Sequence, residues 1–440
     1  MLSKDDNTLL TQVGPGTPGG DLMRMYWQPI AAAKELDDSP FRTKEVRVLG
    51  EDLVLFRDRQ GHLGLIERFC SHRRVNLAIG VVEDDGLRCQ YHGWKFDATG
   101  ACVEQPFEDT MHPEAAFRSK CNIAGYPVRE MAGLVFAYMG AAPVPEFPMW
   151  EPYAWKEVVR DIAIIELDCN WLQCQENSLD PVHNEWLHGY YGNYVHRLMD
   201  LEANRGQGNR STKKHLKIGF DPFEYGIVKR RIQEGGSEED DDWKVGHPVM
   251  FPNILLVGSQ FSATMQFRVP IDDTKTLHVS LYTFRAAPGT KAPVQESVPY
   301  RYTNLKQGDG NWILNYIFNQ DYSAWVTQGP IAKRNLEKLG ESDRGIIMFR
   351  QQLKDQIAVV QAGNDPMCVF REPEQAAFVE LPLEKDKFGA NRRPPKYVPG
   401  EEGYSTDSAL IEQTLATWDV LPEHAAIPAP AIASPVASRS

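Results

Sequence analysis

The chain has 440 residues and a formal net charge of −13, and 42% of its residues are hydrophobic. This length favours two domains, and the composition is typical of a globular protein with a sizeable core. A nucleic-acid-binding protein would need a concentrated basic surface, which the acidic balance argues against. No apolar stretch approaches the roughly 20 residues that span a bilayer, and the first residues lack the pattern of a signal peptide. We therefore expect a cytoplasmic protein that binds neither nucleic acid nor membrane.

Residues 26–145 have the pattern of a small all-β domain. The β-rich runs Lys44–Leu49 and Leu53–Arg57 flank a turn that contains Gly50, and Leu134–Met139 is a further short strand. Short strands at such close spacing are typical of an all-β unit. A group of prolines around residue 145 marks its end.

Residues 146–424 mix helical and strand patterns, which predicts a larger α+β domain. Asn170–Leu187 and Ser342–Gln361 have apolar residues at helical spacing, and β-rich runs lie between them. We assign residues 1–25 to a segment that packs against this second domain. The Ala/Pro/Ser-rich residues 425–440 are predicted to be a disordered tail.

Two cysteines and two histidines form the first motif with the spacing of a metal site. Cys70-x-His72 is followed after 16 residues by Cys89-x2-His92, so each of two tight loops carries one thiolate and one imidazole. This donor set binds either zinc or a [2Fe-2S] cluster with thiolates on one iron and imidazoles on the other. A common zinc finger places both cysteines before both histidines, so the interleaved order favours the two-iron cluster. The other cysteines are expected to be structural: Cys102, Cys121, Cys169, Cys174 and Cys368.

A second motif, Asp180-x2-His183-x4-His188, lies at the end of the first predicted helix. Two histidines and a carboxylate form the facial triad of non-haem Fe(II) oxygenases, which leaves coordination positions open for O2 and substrate. At about 100° per residue, the two histidines lie roughly 140° apart on a regular helix. Binding one metal ion therefore requires a distorted backbone between them, such as a π-bulge.

The first motif meets the Cys-x-His and Cys-x2-His pattern of the Rieske family, and the second motif extends the resemblance over nearly the whole chain. The sequence resembles the α subunit of Rieske non-haem iron aromatic ring-hydroxylating oxygenases, in the phthalate-dioxygenase-like group that includes aryl O-demethylases. Further segments that carry the resemblance are Val13–Pro18, Cys174–Asn177, Asn319–Asp321 and Gln328–Ile331. It implies a Rieske domain at residues 26–145, followed by a catalytic domain at residues 146–424 in which helices cover an antiparallel sheet.

The resemblance also implies which residues hold the cofactors. A mononuclear Fe(II) would be bound by His183, His188 and a downstream aspartate. Asp321 matches that third ligand, and Asp365 is the alternative. The ligands implied for the Rieske [2Fe-2S] cluster are Cys70, His72, Cys89 and His92.

Asp180 has a different implied role. In the family, the equivalent carboxylate hydrogen-bonds the mononuclear histidine and a cluster histidine of a neighbouring subunit, which here are His183 and His92. Asn177, about one helical turn earlier, would help this bridge. The alternative for Asp180 is a helix N-cap before Pro181.

The implied function is that of the terminal oxygenase component of a multicomponent system. Electrons from NAD(P)H would pass through a separate flavin and iron-sulfur reductase to the cluster, and then across a subunit boundary to the iron, where O2 and an aromatic substrate meet. The reaction is either cis-dihydroxylation or a monooxygenation such as O-demethylation, and the motifs do not separate the two. A homotrimer or homohexamer is expected. The competing interpretations are a Rieske electron-transfer or small-molecule-binding protein without oxygenase activity, and a zinc-stabilised binding protein.

An aromatic carboxylate is the favoured substrate, and it would require a cation in the pocket. Lys229 and Arg231 lie on one face of a predicted strand, with Arg230 on the other. An arginine can bind a carboxylate through two parallel hydrogen bonds. Ordinary solvated surface charge is the favoured interpretation of these three residues, and carboxylate binding is the alternative.

Overall fold

The computed structural model describes residues 2–114, 117–198, 212–383 and 406–420. The predicted disordered tail at residues 425–440 lies outside these ranges. Within them, no helix is long and apolar enough to cross a membrane. The fold is α+β, with small antiparallel sheets in the first part of the chain and one large sheet with helices in the second, as the sequence predicted.

Short strands dominate the first part of the chain. They form three small sheets with the strand orders β1-β11-β10, β2-β3-β4-β9 and β5-β6-β7-β8. Neighbouring strands in these sheets are antiparallel. The strands are β1 (Gln28–Ala32), β2 (Thr43–Val48), β3 (Glu51–Arg57), β4 (Leu63–Glu67), β5 (Val81–Glu83), β6 (Gly86–Arg88), β7 (Lys95–Phe96), β8 (Cys102–Glu104), β9 (Gly125–Tyr126), β10 (Val128–Met131) and β11 (Leu134–Ala137).

These sheets are divided between two hydrophobic cores. A small core contains Cys70 and Cys89 together with their apolar neighbours. Residues of β1 and β11 belong instead to the main core, which they share with the second part of the chain. The ring centroids of Phe136 in β11 and Phe267 are 6.0 Å apart. The two Cys/His loops therefore pack in the small core, while β1 and β11 connect the first part of the chain to the core of the second part.

The second part is built on an eight-stranded sheet with the order β13-β14-β15-β16-β17-β18-β12-β19. The prediction of an antiparallel sheet needs one correction, because β12 and β19 run parallel. A parallel neighbour requires a long connection instead of a hairpin, and β19 reaches the free edge of β12 through such a connection after β18. The strands are β12 (Val158–Leu167), β13 (His215–Phe223), β14 (Gly226–Gln233), β15 (His247–Met250), β16 (Ile254–Gly258), β17 (Ser262–Asp272), β18 (Lys275–Arg285) and β19 (Tyr300–Tyr302).

Helices from both ends of the chain surround this sheet. Helix α6 packs against β17 and α9, and α10 contacts α2, β13 and β14. A π-helix, Asn184–Tyr191, lies between α6 and α7 in the sequence. The α-helices are α1 (Lys4–Thr11), α2 (Pro18–Arg24), α3 (Lys34–Asp38), α4 (Pro106–Met111), α5 (Glu151–Ala154), α6 (Trp171–Asn177), α7 (Gly192–Leu198), α8 (Asp241–Lys244), α9 (Ile317–Val326), α10 (Arg344–Gln361), α11 (Pro373–Ala376) and α12 (Ser408–Ala416).

The two faces of the sheet have different partners. Successive side chains of a strand point to opposite faces, so Phe267 of β17 lies in the main core while Arg268 lies on the other face. Arg268 is paired in register with His278 of β18. The ring of His278 contacts Tyr322 of α9, with centroids 5.2 Å apart. We call this side the helix-covered face of the sheet.

The N-terminal segment lies beside the helices of the second part. Asn7 Nδ2 donates to the carbonyl of Ala332 at 3.0 Å. Asn170 Nδ2 donates to the carbonyl of Thr11 at 2.9 Å. Asn170 is the N-cap of α6, so the start of this helix is fixed by the N-terminal segment.

Candidate cofactor sites and active site

The two Cys/His loops have the same backbone hydrogen bonds. In each loop, the amide four residues after the cysteine donates back to the cysteine carbonyl. Arg74 N donates to Cys70 O at 2.9 Å, and Gly93 N donates to Cys89 O at 3.0 Å. Arg74 and Gly93 both adopt positive φ, 59° and 75°, a conformation that glycine adopts without strain. The two loops therefore have the same backbone turn, and each holds one cysteine and one histidine.

The cysteines and histidines of these loops differ in burial. Cys70 and Cys89 are buried, with 1% and 3% exposure, whereas His72 and His92 are exposed. The two imidazole rings lie together, with centroids 4.5 Å apart. Trp94 stacks on His72, with centroids 4.5 Å apart and planes 10° apart. Thiols inside and imidazoles outside suit a cluster with one buried iron and one iron near the surface.

The two cysteine thiols are close enough to share a proton. A hydrogen bond from Cys70 lowers the pKa of Cys89 to about 6, and the same interaction raises the pKa of Cys70. The thiolate is the form of cysteine that binds metals. The hydrogen bond therefore favours the thiolate of Cys89, and the donor set fits a [2Fe-2S] cluster.

In the second site, Asp321 lies between His183 and His188. Its Oδ1 is 3.2 Å from Nε2 of His188 and 3.6 Å from Nε2 of His183. The potential ligand atoms of the three residues lie within 4.8 Å of one another. Ligands about 2.1 Å from one metal ion in neighbouring coordination positions are about 3 Å apart. The three side chains therefore fit a single metal ion.

The π-helix resolves the problem posed by the spacing of the two histidines. His183 is its N-cap residue, and His188 lies inside it. The wider helical turn brings the imidazoles together, with ring centroids 5.1 Å apart. This is the backbone distortion that the sequence spacing required.

Helix α9 supplies the carboxylate of this group. Asp321 is buried, and burial opposes its ionisation, but the imidazoles of His188 and His183 outweigh this effect and lower its pKa. Asp365, the alternative ligand, is exposed and forms a bidentate pair with Arg371 at 2.6 and 2.9 Å. The structure therefore brings Asp321, and not Asp365, to the two histidines.

Asp180 lies on the other side of the His183 ring. Its Oδ2 is 3.6 Å from Nδ1 of His183, and its Oδ1 accepts a hydrogen bond from Val182 N at 2.8 Å. It therefore caps the local turn and also faces the imidazole. Asn177 makes its side-chain contact with the triad, since its Nδ2 lies 3.5 Å from Oδ1 of Asp321.

Comparison with known proteins agrees with this geometry. The protein-family model described as "Rieske [2Fe-2S] domain" matches residues 26–127. A second family model, described as "LigXa C-terminal domain like", matches residues 301–378. The 5,5'-dehydrodivanillate O-demethylase oxygenase subunit of Sphingobium sp. (strain NBRC 103272 / SYK-6) is 44% identical over 382 residues, covering 87% of each chain. The 3-chlorobenzoate-3,4-dioxygenase oxygenase subunit of Comamonas testosteroni is 45% identical over 399 residues, covering 80% of this chain and 88% of that relative. The chain belongs to the Rieske oxygenase family.

A solved structure has the same fold as this Rieske oxygenase. NdmA of Pseudomonas putida CBB5 superimposes with a TM-score of 0.56 at 18% identity, covering 78% of this chain and 92% of that one. The curated relatives are terminal oxygenase subunits, so this chain is an oxidoreductase of that type. An electron-transfer protein without oxygenase activity, one of the competing interpretations, does not agree with these relatives.

Two buried residues beside the triad of the Rieske oxygenase had no predicted role. Gln320 is fully buried, and its Oε1 lies 3.0 Å from Nδ1 of His188. Arg268 is 1% exposed, and its Nη atoms donate to the carbonyl and the side chain of Gln266 at 3.0 and 2.8 Å. Among the described residues, no carboxylate forms an ion pair with Arg268, yet its charge contributes to lowering the pKa of Asp321. Strand periodicity alone gives the face of Arg268, but it does not indicate that α9 covers that face.

Proposed function

We propose that this oxygenase subunit hydroxylates an aromatic carboxylate with O2, either by cis-dihydroxylation or by a monooxygenation that removes an O-methyl group. The observation that carries the proposal is the convergence of His183, His188 and Asp321 around one point. Such a triad leaves coordination positions free for O2 and substrate. One curated relative is named as an O-demethylase and another as a dioxygenase, and both names contain an aromatic acid.

We assign His183, His188 and Asp321 as ligands of a mononuclear Fe(II), which would bind and activate O2 beside the substrate. His188 and Asp321 are buried, with 6% and 7% exposure, so water has little access to these two donors. His183 is less buried and lies nearer Asp180. All three side chains would hold the metal, with His183 on the side nearer the protein surface.

The Cys/His loops would hold the Rieske cluster, which would supply single electrons for the chemistry at the mononuclear site. We propose that a separate NAD(P)H-dependent reductase, containing flavin and an iron-sulfur centre, supplies these electrons. The exposure of His72 and His92 supports this role, because it leaves the imidazole side of the cluster open to a partner protein.

We further propose that the working oxygenase is a homotrimer, or two stacked trimers, in which the cluster of one copy faces the mononuclear site of the next. Exposed aromatic side chains surround both sites. Trp186 and Tyr190 of the π-helix are 63% and 41% exposed, and Tyr91 and Phe117 near the cluster loops are 53% and 50% exposed. Aromatic residues are enriched at protein interfaces. Such an interface would bring His92 of a second copy to Asp180, whose side chain is 28% exposed.

Arg231 supports a carboxylate substrate. Its side chain is 17% exposed, and among the described residues only Asp242 pairs with it, through Nε at 3.3 Å. The two Nη atoms therefore remain available for a planar anion. By strand alternation, Arg231 shares the face of Lys229 and Phe220, while Arg230 lies on the other face.

Arg231 also lies on the side of the sheet that meets the π-helix. His215 accompanies Arg231 at the end of the β13–β14 pair, and its Nδ1 is 3.2 Å from Oε2 of Glu185 in the π-helix. Burial lowers the pKa of His215, and the nearby charge of Arg231 contributes in the same direction. This position supports the proposal that Arg231 binds the carboxylate of a substrate lying between the sheet and the π-helix.

The first experiment combines metal analysis with turnover. Anaerobically purified protein should contain about three iron atoms and two sulfides per chain, with the visible spectrum of a histidine-ligated cluster. With a surrogate reductase and NADH, methoxylated and unsubstituted aromatic acids should be oxidised to formaldehyde plus phenol or to cis-diols, respectively. Zinc without sulfide would refute both cofactor assignments. A loaded protein that oxidises only neutral arenes would refute the substrate assignment.

The role of Arg231 has a matched control on the same strand. Arg231→Met should raise KM for an aromatic acid by 10-fold or more, with a much smaller effect on its neutral methyl ester. Arg230→Met removes the same charge from the other face, where Arg230 pairs with Asp221 at 2.5 Å, and should leave both KM values nearly unchanged. Equal effects of the two variants would mean that Arg231 acts only through general surface charge.

A further inference from the structure

We propose that Gln320 is the positioning residue that fixes the tautomer and orientation of His188, so that Nε2 of this histidine always faces the metal position. The inference rests on the assignment of His188 as a metal ligand. It concerns a residue that touches the ligand and not the metal or the substrate.

The contacts of Gln320 fix its side chain at both ends. Its Oε1 lies 3.0 Å from Nδ1 of His188. Its Nε2 donates to the carbonyl of Leu314 at 2.9 Å. The residue is 0% exposed, so water does not compete for either contact.

The Leu314 carbonyl determines which way the amide points. If the amide were flipped, its oxygen would face the oxygen of Leu314, and two acceptors would meet in a buried position. The carbonyl therefore holds Nε2 of Gln320 toward itself and leaves Oε1 toward His188. An acceptor at Nδ1 requires the proton of the neutral imidazole to reside there. The lone pair of His188 then lies on Nε2, the atom 3.2 Å from Oδ1 of Asp321.

The two histidines of the triad differ in this respect. Nδ1 of His188 faces the neutral amide of Gln320, whereas Nδ1 of His183 faces the carboxylate of Asp180 at 3.6 Å. A carboxylate partner raises the basicity of an imidazole more than an amide does. His188 is thus the buried ligand held by a neutral amide, and His183 is the ligand that faces a carboxylate.

Helix α9 couples this function to the third ligand. Gln320 and Asp321 are adjacent in its sequence, so one helix supplies one metal ligand and the orienting group of another. Any shift of α9 would move both together. A loss of Gln320 should therefore weaken metal binding even though all three ligands remain.

The test measures metal affinity and the spectrum of the metal site. Gln320→Met keeps the approximate volume but removes both hydrogen bonds. In protein that keeps its cluster but lacks the mononuclear iron, the variant should bind Fe(II) 10- to 100-fold more weakly than the wild type. The electron paramagnetic resonance spectrum of the ferrous site with nitric oxide as a probe should change, while the visible spectrum of the cluster should not. Gln320→Glu keeps an acceptor for Nδ1 of His188 but loses the donor to the Leu314 carbonyl, so it should bind Fe(II) more tightly than Gln320→Met does.

Controls separate this role from a structural one and from a failure of the metal assignment. Asn319 is a buried neighbour whose Nδ2 donates to the carbonyl of Asn304 at 2.8 Å, so Asn319→Leu should reduce stability without changing Fe(II) affinity. If Gln320→Met does not fold, an Fe(II) affinity 10- to 100-fold below that of the wild type in Gln320→Glu, which keeps the acceptor for His188, would overturn the proposal. Unchanged affinity and an unchanged nitric oxide spectrum in Gln320→Met would also overturn it. If His183→Ala likewise left Fe(II) binding intact, the metal site itself would be wrongly assigned.

Discussion

Oδ2 of Asp180 lies 3.6 Å from Nδ1 of His183, and the opposite nitrogen of the same ring lies 3.6 Å from Oδ1 of Asp321. One imidazole therefore separates a buried carboxylate of the metal triad from a carboxylate near the surface. Burial opposes the ionisation of Asp180, but His183 outweighs this effect and lowers its pKa. Asp180 is thus favoured as an anion, with a side chain that is 28% exposed.

Asp180→Asn should keep both metal sites and lose turnover by about 100-fold, the upper end of effects seen when a carboxylate that orients a metal ligand is removed. The amide oxygen of Asn can still accept the hydrogen bond from Val182, so the turn should survive. Rapid mixing of the reduced protein with O2 and substrate measures product formed in one turnover. Full activity, with iron and sulfide unchanged, would remove the proposed bridge.

Much of the arrangement of the candidate cofactor sites was predictable because most of the candidate ligands are close together in the sequence. Cys70 to His92 form one local pattern, and the five-residue spacing of His183 and His188 indicated a distorted helix, which the π-helix supplies. Asp321 had a competitor in Asp365, and only the packing of α9 brings one of them to the histidines.

Other features depend on the assembled fold. Gln320 and Arg268 acquire their contacts when α9 covers one face of the sheet, which no local pattern indicates. The parallel pairing of β19 was also not predicted, because a strand of three residues after a long connection carries little signal. The helix predicted over Asn170–Leu187 is interrupted: α6 ends at Asn177, and the π-helix begins at Asn184. The helix predicted from Ser342 begins at Arg344, after a short 3-10 turn.

Asp321→Ala should lower the iron content from about three to about two atoms per chain, because the triad loses its only charged donor. The sulfide content and the visible spectrum of the cluster should not change. Asp365→Ala is the matched control, since this carboxylate is paired with Arg371 at the surface, and it should retain all of the iron. The opposite pattern in the two variants would reverse the choice of third ligand.

Glu176→Gln should destabilise the protein by about 3–5 kcal/mol, the cost of breaking a buried ion pair from one side. Glu176 is 8% exposed and accepts from Arg334 at 2.8 Å and from Arg350 at 2.6 Å. Urea unfolding at pH 7 measures the loss. Glu337→Gln is the control, because Glu337 contacts Arg350 from a site that is 25% exposed and should cost much less.

The same carboxylate makes stability depend on acidic pH. Burial alone would raise the pKa of Glu176, but Arg334 and Arg350 outweigh it and lower the pKa. Its contribution is therefore fully present above the unfolded pKa of about 4.3 and is lost as the pH falls through the lower folded value. Glu176→Gln should show a smaller loss of stability between pH 5 and pH 3 than the wild type does.

His278 should cause a second decline of stability, at milder pH. It is 0% exposed, its Nδ1 is 3.1 Å from the hydroxyl of Tyr322, and burial, aided by the charge of Arg268, holds its pKa well below the usual value. The folded protein therefore keeps this imidazole neutral, while the unfolded chain takes up a proton below about pH 6.5. The free energy of unfolding therefore keeps its full value above that pH and falls by up to about 1.4 kcal/mol per pH unit below it.

His278→Gln should remove this part of the pH dependence. Urea midpoints at pH 7.5, 6.5 and 5.5 should fall less steeply in the variant than in the wild type, although the variant should be less stable at pH 7.5 because it loses the contact with Tyr322. His112→Gln, at a side chain that is 64% exposed, is the control and should keep the wild-type slope. An unchanged slope in His278→Gln would contradict this prediction. It would mean that the buried imidazole is already protonated in the folded protein, despite the positive charge of Arg268.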